Sequence, residues 1–308
     1  MILSVSRRTD IPCHYAEWFI ERVRDGFVCC RNPRRPSQIS RIPITPDCVD
    51  AIVFWTKDPG PLVPYLDELD GRGFRYYFQV TLTPYGKDLE PGLREKREIL
   101  ADVCRLGKRV GKRGLVWRYD PVLFTPHYTL SWHEHAFAAL CRVIAPFTDQ
   151  VTISFLDEYR GMRHSGLHAP SNEEMERFAS FAGETAALAG LSVRACSEKG
   201  DYSRYGILPA SCIDEKRLCD LVGAPLKLSH DNDQRENCGC YKSVDIGAYD
   251  TCPNGCIYCY ANSHFSLLAR NLSRYRLKSP LLCSGLLPDD KIIEKSYTSD
   301  RIQQISFF

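Results

Sequence analysis

The chain has 308 residues, enough for one α/β barrel around a single large core. With 40 Lys and Arg against 38 Asp and Glu the formal charge is +2, which excludes strong general attraction to nucleic acid or an anionic membrane surface. At 44% apolar and 25% charged residues, the composition is that of a soluble globular protein.

No run approaches the roughly 20 apolar residues that a membrane span needs. The opening MILSVSRRTDIP places its apolar run before its arginines, the reverse of a secretory signal, so a cytoplasmic location is expected. In that compartment 15 cysteines point to metal or cluster ligation rather than to a disulfide framework. Cys13, Cys29, Cys30, Cys48, Cys104 and Cys141 are scattered, and most are expected to be plain buried thiols.

In chain order, β-branched and aromatic runs alternate with stretches of helical period. Strands are expected at 2–7, 51–57, 75–83, 115–121, 151–157 and 191–198. Tyr15, Trp18, Phe19 and Val23 share one helical face, and Gly26 ends that helix. The segment 29–50 reads as irregular. Helices follow at 61–70, 92–110 and 131–146. The stretch SNEEMERFASFAGETAALAG is the clearest, with a Ser171–Glu174 capping box and Gly190 as its stop. His133 and His135 stand two apart on a helix and do not face each other, so both read as surface or packing residues.

Apolar strands each followed by a helix imply a parallel sheet covered by helices, and a closed or partly closed TIM-like barrel is the expected form. Residues 1–200 supply six of its strands. Residues 201–241, rich in Cys, Asp, Asn and Gly, read as an insertion with one short helix at 213–221. KSVDIGAY (242–249) is expected as one more strand and 260–275 as one more helix, so that 242–278 completes the barrel. Residues 279–308 read as a C-terminal extension packing through Ile305, Phe307 and Phe308.

The expected strands end in ionisable residues. Arg7 and Asp10 close the first; Lys57, Arg118, Asp120, Asp157 and Glu198 close others. In a parallel barrel the C-terminal strand ends form one rim, where active sites lie. Arg7, Lys57, Arg118 and Arg235 suit a carboxylate or phosphate, while Asp120, Asp157 and Glu198 suit orientation or proton relay.

The loop TCPNGCIYC sits between the strand at 242–249 and the helix at 260–275, and so on the same rim. Structural zinc wants four protein ligands. Cys252, Cys256 and Cys259 are three, and a four-iron cluster held by three thiolates keeps one iron open to a small molecule. CPNGCIYC resembles the C-x3-C-x2-C signature of the radical S-adenosylmethionine enzymes, including the aromatic Tyr258 before its last cysteine. That resemblance implies a [4Fe-4S] cluster on these cysteines, S-adenosylmethionine on the open iron, a 5′-deoxyadenosyl radical as the product of its cleavage, and a flavodoxin- or ferredoxin-like electron donor.

The stretches SRRTDIP, VFWTKDP, YYFQVTLTPYG, WRYDP, ISFLDEY and CGCYKSVDIGAYDTC are together similar to the family catalogued as domain of unknown function 1848, which carries no activity over. In most enzymes of the radical class the cysteine loop follows the first strand. Here six strands come first, so the expected barrel is circularly permuted, with 242–249 parallel to and beside either 2–7 or 191–198.

Cys196, Cys212, Cys238 and Cys240 form a second set, suited to an auxiliary iron-sulfur cluster or a zinc site. Cys219 is a weaker candidate. Two other readings stay open: a zinc-dependent barrel hydrolase, disfavoured because no strand end carries histidine, and an iron-sulfur or zinc-binding protein with a sensing role. The substrate, a small molecule or one of unknown kind, is not legible.

Overall fold

Period-two alternation in the strands sorts their side chains onto two faces, and the two faces differ in chemistry. The computed structural model describes residues 1–158, 166–235 and 237–302. In chain order its elements begin β1 (Ile2–Val5), α1 (Ile11–His14), α2 (Ala16–Asp25), β2 (Phe27–Arg31), β3 (Gln38–Pro43), β4 (Ala51–Thr56), α3 (Leu66–Gly71), β5 (Tyr76–Thr81), α4 (Lys96–Gly114) and β6 (Leu115–Val122). They continue with α5 (Leu130–Ile144), β7 (Gln150–Phe155), α6 (Asn172–Leu188), β8 (Ser192–Ala195), β9 (Leu208–Pro209), α7 (Glu215–Val222), β10 (Val244–Asp245), α8 (Phe265–Ser273) and β11 (Lys291–Glu294).

Eight strands make one sheet in the order β10-β1-β4-β5-β6-β7-β8-β9, and every neighbouring pair is parallel. The fold is therefore mixed α/β on a large parallel sheet. Among the described residues no ladder joins β9 to β10. β10 lies beside β1, with Leu3 opposite Val244 and Ser4 opposite Asp245, one of the two positions expected for residues 242–249.

One face of the sheet, carrying Leu3, Val5, Phe54, Phe78, Trp117, Tyr119 and Ile153, packs against Trp18 and Phe19 of α2, Ile99 and Val103 of α4, Phe137 of α5 and Phe178 of α6. Full burial of each such side chain stabilises by roughly 1.5–3 kcal/mol. The other face is apolar only near the strand starts. There Ile2, Val53, Tyr77 and Val116 meet Ile213, and Leu218 and Val222 of α7. Farther along the same face Trp55, Arg118, Asp120, Ser154 and Cys196 line a cavity.

Several boundaries behave as expected. Gly26 caps α2 at φ 75°. Ser171 and Glu174 form the full capping box of α6, worth about 1 kcal/mol. His133 is a packing residue: fully buried, with Nε2 donating to Leu123 O at 2.7 Å and Nδ1 accepting from Tyr119 Oη at 2.7 Å. His135 is exposed and bonds Ser131 O.

Other boundaries need correction. The segment 29–50 is not irregular, because β2 and β3 pair antiparallel and β11 adds to β3 in parallel. Ile39 and Ile42, the buried residues of β3, break strict alternation, and its second partner comes from the far end of the chain. Strand formation there is imposed by tertiary context rather than by local pattern.

Residues 201–241 do more than form a helical insertion, since β9 extends the main sheet and α7 fills its second face. β10 is far shorter than the expected 242–249. Its ladder gives way to side-chain bonds: the Asp245 carboxylate accepts from Ser4 Oγ (2.9 Å), Ser6 Oγ (2.7 Å), Arg7 N (2.8 Å) and Gly247 N (3.0 Å). A Cβ on Gly247 would lie 1.9 Å from Ser6 Oγ, so glycine is required where the chain leaves the sheet. α8 starts at Phe265 rather than at 260, because the preceding residues belong to the cysteine loop. Ile305, Phe307 and Phe308 lie outside the described residues. No helix among the described residues is long and apolar enough to cross a membrane.

Candidate active site

Parallel topology sends every C-terminal strand end to the same side, and the loop 246–264 between β10 and α8 folds over that side. The result is one cavity of about 390 Å³. Its walls include Arg7 and Asp10 after β1, Lys57 after β4, Arg118 and Asp120 on β6, and Asp157 after β7, with Arg235 from the approach to β10. Cys252, Cys256, Tyr258 and Cys259 line one side, and Cys196, Cys212, Cys238 and Cys240 another. Glu198 falls outside this cavity and lines an adjoining pocket that shares Asp157 and Arg235.

The cysteine loop is held from beneath. Asp10 accepts from Cys13 N (3.1 Å) as the cap of α1, from Lys57 N (2.7 Å) and from Asn254 Nδ2 (3.2 Å), tying the ends of β1 and β4 to the loop. Asn254 also meets His14 Nε2 at 2.6 Å. The segment after β5 completes the clamp: Gly92 N donates to Asn254 O (2.9 Å) and Ile257 N to Leu89 O (3.1 Å). Within the loop, Ala261 N donates to Cys259 Sγ at 3.3 Å and Asn262 Nδ2 to Cys252 O at 2.7 Å.

Glu90 is the electrostatic hub. Its side chain is 0% exposed and accepts from Lys57 Nζ (2.7 Å), Thr83 Oγ1 (3.0 Å), Lys96 Nζ and Tyr258 Oη. Burial opposes its ionisation, but Lys57 and Lys96 outweigh that and hold it at about 2. Burial likewise opposes the charge on Lys57, yet Glu90 and then Cys256 lift it to about 12. Burial, followed by Asp10, pushes the Cys252 thiol up to about 12.

Across the cavity the guanidiniums of Arg7 and Arg118 stand 5.0 Å and 5.6 Å from the Trp55 ring centroid, as cation–π pairs. Arg118 is buried, pairs with Asp120, and donates from Nη1 to Cys212 Sγ at 2.7 Å. Arg235 pairs with Asp157. Glu198 accepts from Ser154 Oγ (3.0 Å) and Phe155 N (2.9 Å). Burial raises it to about 7.

Glu90, Trp55, Asp245, Asn254 and Asn262 were missed by sequence reasoning. Asn254 stands inside CPNGC, which was the available signal for it. Trp55 and Asp245 stand inside VFWTKDP and CGCYKSVDIGAYDTC, stretches that carried the family resemblance, whereas Glu90 stands in none of them.

Three of the cavity's residues bury a polar atom that has no hydrogen-bond partner: Arg7 Nη2, Thr9 Oγ1 and Asn262 Oδ1. Such atoms fit a polar ligand. Among the described residues no three Cys, His, Asp or Glu side chains converge as ligands of a single ion. A four-iron cluster spreads its thiolates over separate irons, so three cysteines on one wall of a polar cavity fit that group by the chemistry of the donor set.

The protein is thus a mixed α/β protein in which the strand ends of a large parallel sheet and the cysteine loop enclose one ionisable, thiol-rich cavity. The family model described as Domain of unknown function (DUF1848) matches residues 2–261, and the chain belongs to that family. The match runs through Cys259, so every cavity cysteine falls inside it. No curated protein and no solved structure matches the chain.

Proposed function

We propose that this chain is a cytoplasmic radical S-adenosylmethionine enzyme. What supports the reading is that the three thiols of the CPNGCIYC loop share one cavity with Arg7, Lys57, Arg118, Asp120, Asp157 and Arg235, and that two buried polar atoms of this cavity, Thr9 Oγ1 and Asn262 Oδ1, lack partners. Cys252, Cys256 and Cys259 would hold a [4Fe-4S] cluster, which when bound supplies the electron that cleaves S-adenosylmethionine to methionine and a 5′-deoxyadenosyl radical.

The chain's own contribution is position and exclusion of water. Asn262 Oδ1 offers an acceptor for the ammonium of the methionyl group, and Thr9 Oγ1 a donor for its carboxylate. Lys57 keeps a positive charge beside Cys256 because Glu90 stabilises its protonated form. Asp120, Asp157 and Arg235 face the rest of the cavity and orient a small substrate there; the weak overall charge disfavours nucleic acid. Electrons come from a flavodoxin- or ferredoxin-like donor.

We further infer that residues 242–278 act as the first βα unit of a circularly permuted, partial TIM-like barrel. The parallel pairing of β10 with β1 supports this.

The test is anaerobic reconstitution with iron and sulfide, followed by dithionite and S-adenosylmethionine. Production of 5′-deoxyadenosine, read by mass spectrometry and abolished by Cys256→Ala, is the expected result. A fully loaded cluster that yields no 5′-deoxyadenosine refutes the reading.

A further inference from the structure

Four cavity cysteines remain unused by that function. Cys196 follows β8, Cys212 follows β9, and Cys238 and Cys240 precede β10, yet their sulfurs run together. Cys196 Sγ lies 3.6 Å from Cys212 Sγ. All four cysteines line the same cavity. Cys212 N also donates to Cys240 Sγ at 3.2 Å. As they stand, these thiols do not converge on one point, so seating a metal requires their side chains to move.

The cations beside them are the second observation. Asp120 takes one arm of Arg118, and Asp231 stands 3.8 Å from Arg7. That leaves Arg118 Nη1 donating to sulfur and Arg7 Nη2 buried with no partner. Both guanidiniums also lie beside Trp55, on the same side of the cavity.

We propose that Cys196, Cys212, Cys238 and Cys240 ligate a second metal centre, a dianionic four-thiolate site with Arg7 and Arg118 as its counter-charges. Four thiolates around either a zinc ion or a doubly positive four-iron core leave two negative charges. An N–H···S bond to each arginine then satisfies the orphaned Nη2 as well as Nη1. The Cys196–Cys212 separation of 3.6 Å is close to the edge of a tetrahedron around one ion with metal–sulfur bonds of about 2.3 Å, roughly 3.8 Å, and so favours zinc; a four-iron core, with each thiolate on a separate iron, would hold them farther apart.

The test uses the full chain carrying Cys252→Ala, Cys256→Ala and Cys259→Ala, so its outcome does not depend on the loop cluster. This variant is purified anaerobically after zinc supplementation, and separately after reconstitution with iron and sulfide. Retention of about one zinc, or of about four irons with matching sulfide, per chain supports the centre and tells which core it holds. Adding Cys212→Ala and Cys240→Ala should lower that content more than tenfold. A loop variant that is folded by circular dichroism and metal-free in both preparations overturns the proposal.

Should the five-cysteine variant fail to fold, alkylation of the loop variant decides. Labelling at Cys196, Cys212, Cys238 and Cys240 only after a chelator is added supports ligation. Equal labelling with and without chelator overturns it, as does a Cys196–Cys212 disulfide in protein isolated without oxidant.

Discussion

Replacing Glu90 by glutamine should destabilise the fold by about 3 kcal/mol. The carboxylate is 0% exposed and lies between the ammonium groups of Lys57 and Lys96, whose side chains are 15% and 27% exposed. Glutamine keeps the size and loses the charge, leaving two like charges facing each other in a poorly solvated site. Removing one partner of a buried pair costs about 3–5 kcal/mol. A second route agrees: holding the carboxylate at about 2 rather than 4.5 corresponds to roughly 3 kcal/mol of linkage.

The sign of the pH dependence follows. Because the folded-state value is depressed, the contribution is complete above about pH 4.5 and is lost as pH falls toward about 2. Urea denaturation of both proteins, followed by tryptophan fluorescence at pH 7, 5, 4 and 3, measures this gap. It should narrow steadily below about pH 4.5, and Lys96→Met in the Glu90→Gln background should recover part of the loss. A gap under about 1 kcal/mol at pH 7, or one independent of pH, refutes the reasoning.

His133 gives a second acid-sensitive element. Burial holds its imidazole neutral down to about 4, so its contribution is complete above pH 6.5 and disappears as pH falls through that interval. NMR should find the Nε2–H tautomer titrating near pH 4, and an imidazole titrating near 6.5 would contradict the packing described. Gly92→Ala puts a methyl group 2.3 Å from Pro253 O and 2.8 Å from Asn254 O, both backbone atoms. It should cost about 1–3 kcal/mol by forcing the cysteine loop outward. Iron uptake per chain should drop several-fold while far-UV circular dichroism stays unchanged; full uptake at unchanged stability would count against a fixed loop.

What could be read from the sequence was what repeats locally. The six long strands of the main sheet announce themselves by runs of β-branched and aromatic residues, and α6 by its capping box. Arg7, Lys57, Arg118 and Asp157 could be foreseen as neighbours because parallel strands deliver their C-terminal ends to one side whatever lies between them. Glu198 sits at such an end too, but its carboxylate turns back onto Ser154 and Phe155 and leaves the shared cavity.

Glu90 was illegible for a different reason. It stands in the aperiodic run GKDLEPGL, and its partner Tyr258 lies 168 residues away. Asp245 reads as one polar residue in a short strand, and only the approach of β1 turns it into a fourfold acceptor. β2, β3 and β11 escaped because each needs the others to become a strand at all.

The pairing of β1 with β10 sets a timetable for biosynthesis. Ser4 and Asp245 are 241 positions apart, so at about 5–20 residues per second the first strand emerges from the ribosome tens of seconds before its outer neighbour exists. Through that interval the edge of β1 is an open row of backbone donors and acceptors, a surface on which another nascent chain can add a strand. The cysteine loop arrives later still, after every strand of the main sheet. Chains released early would carry the cavity's cationic walls without the loop that covers them.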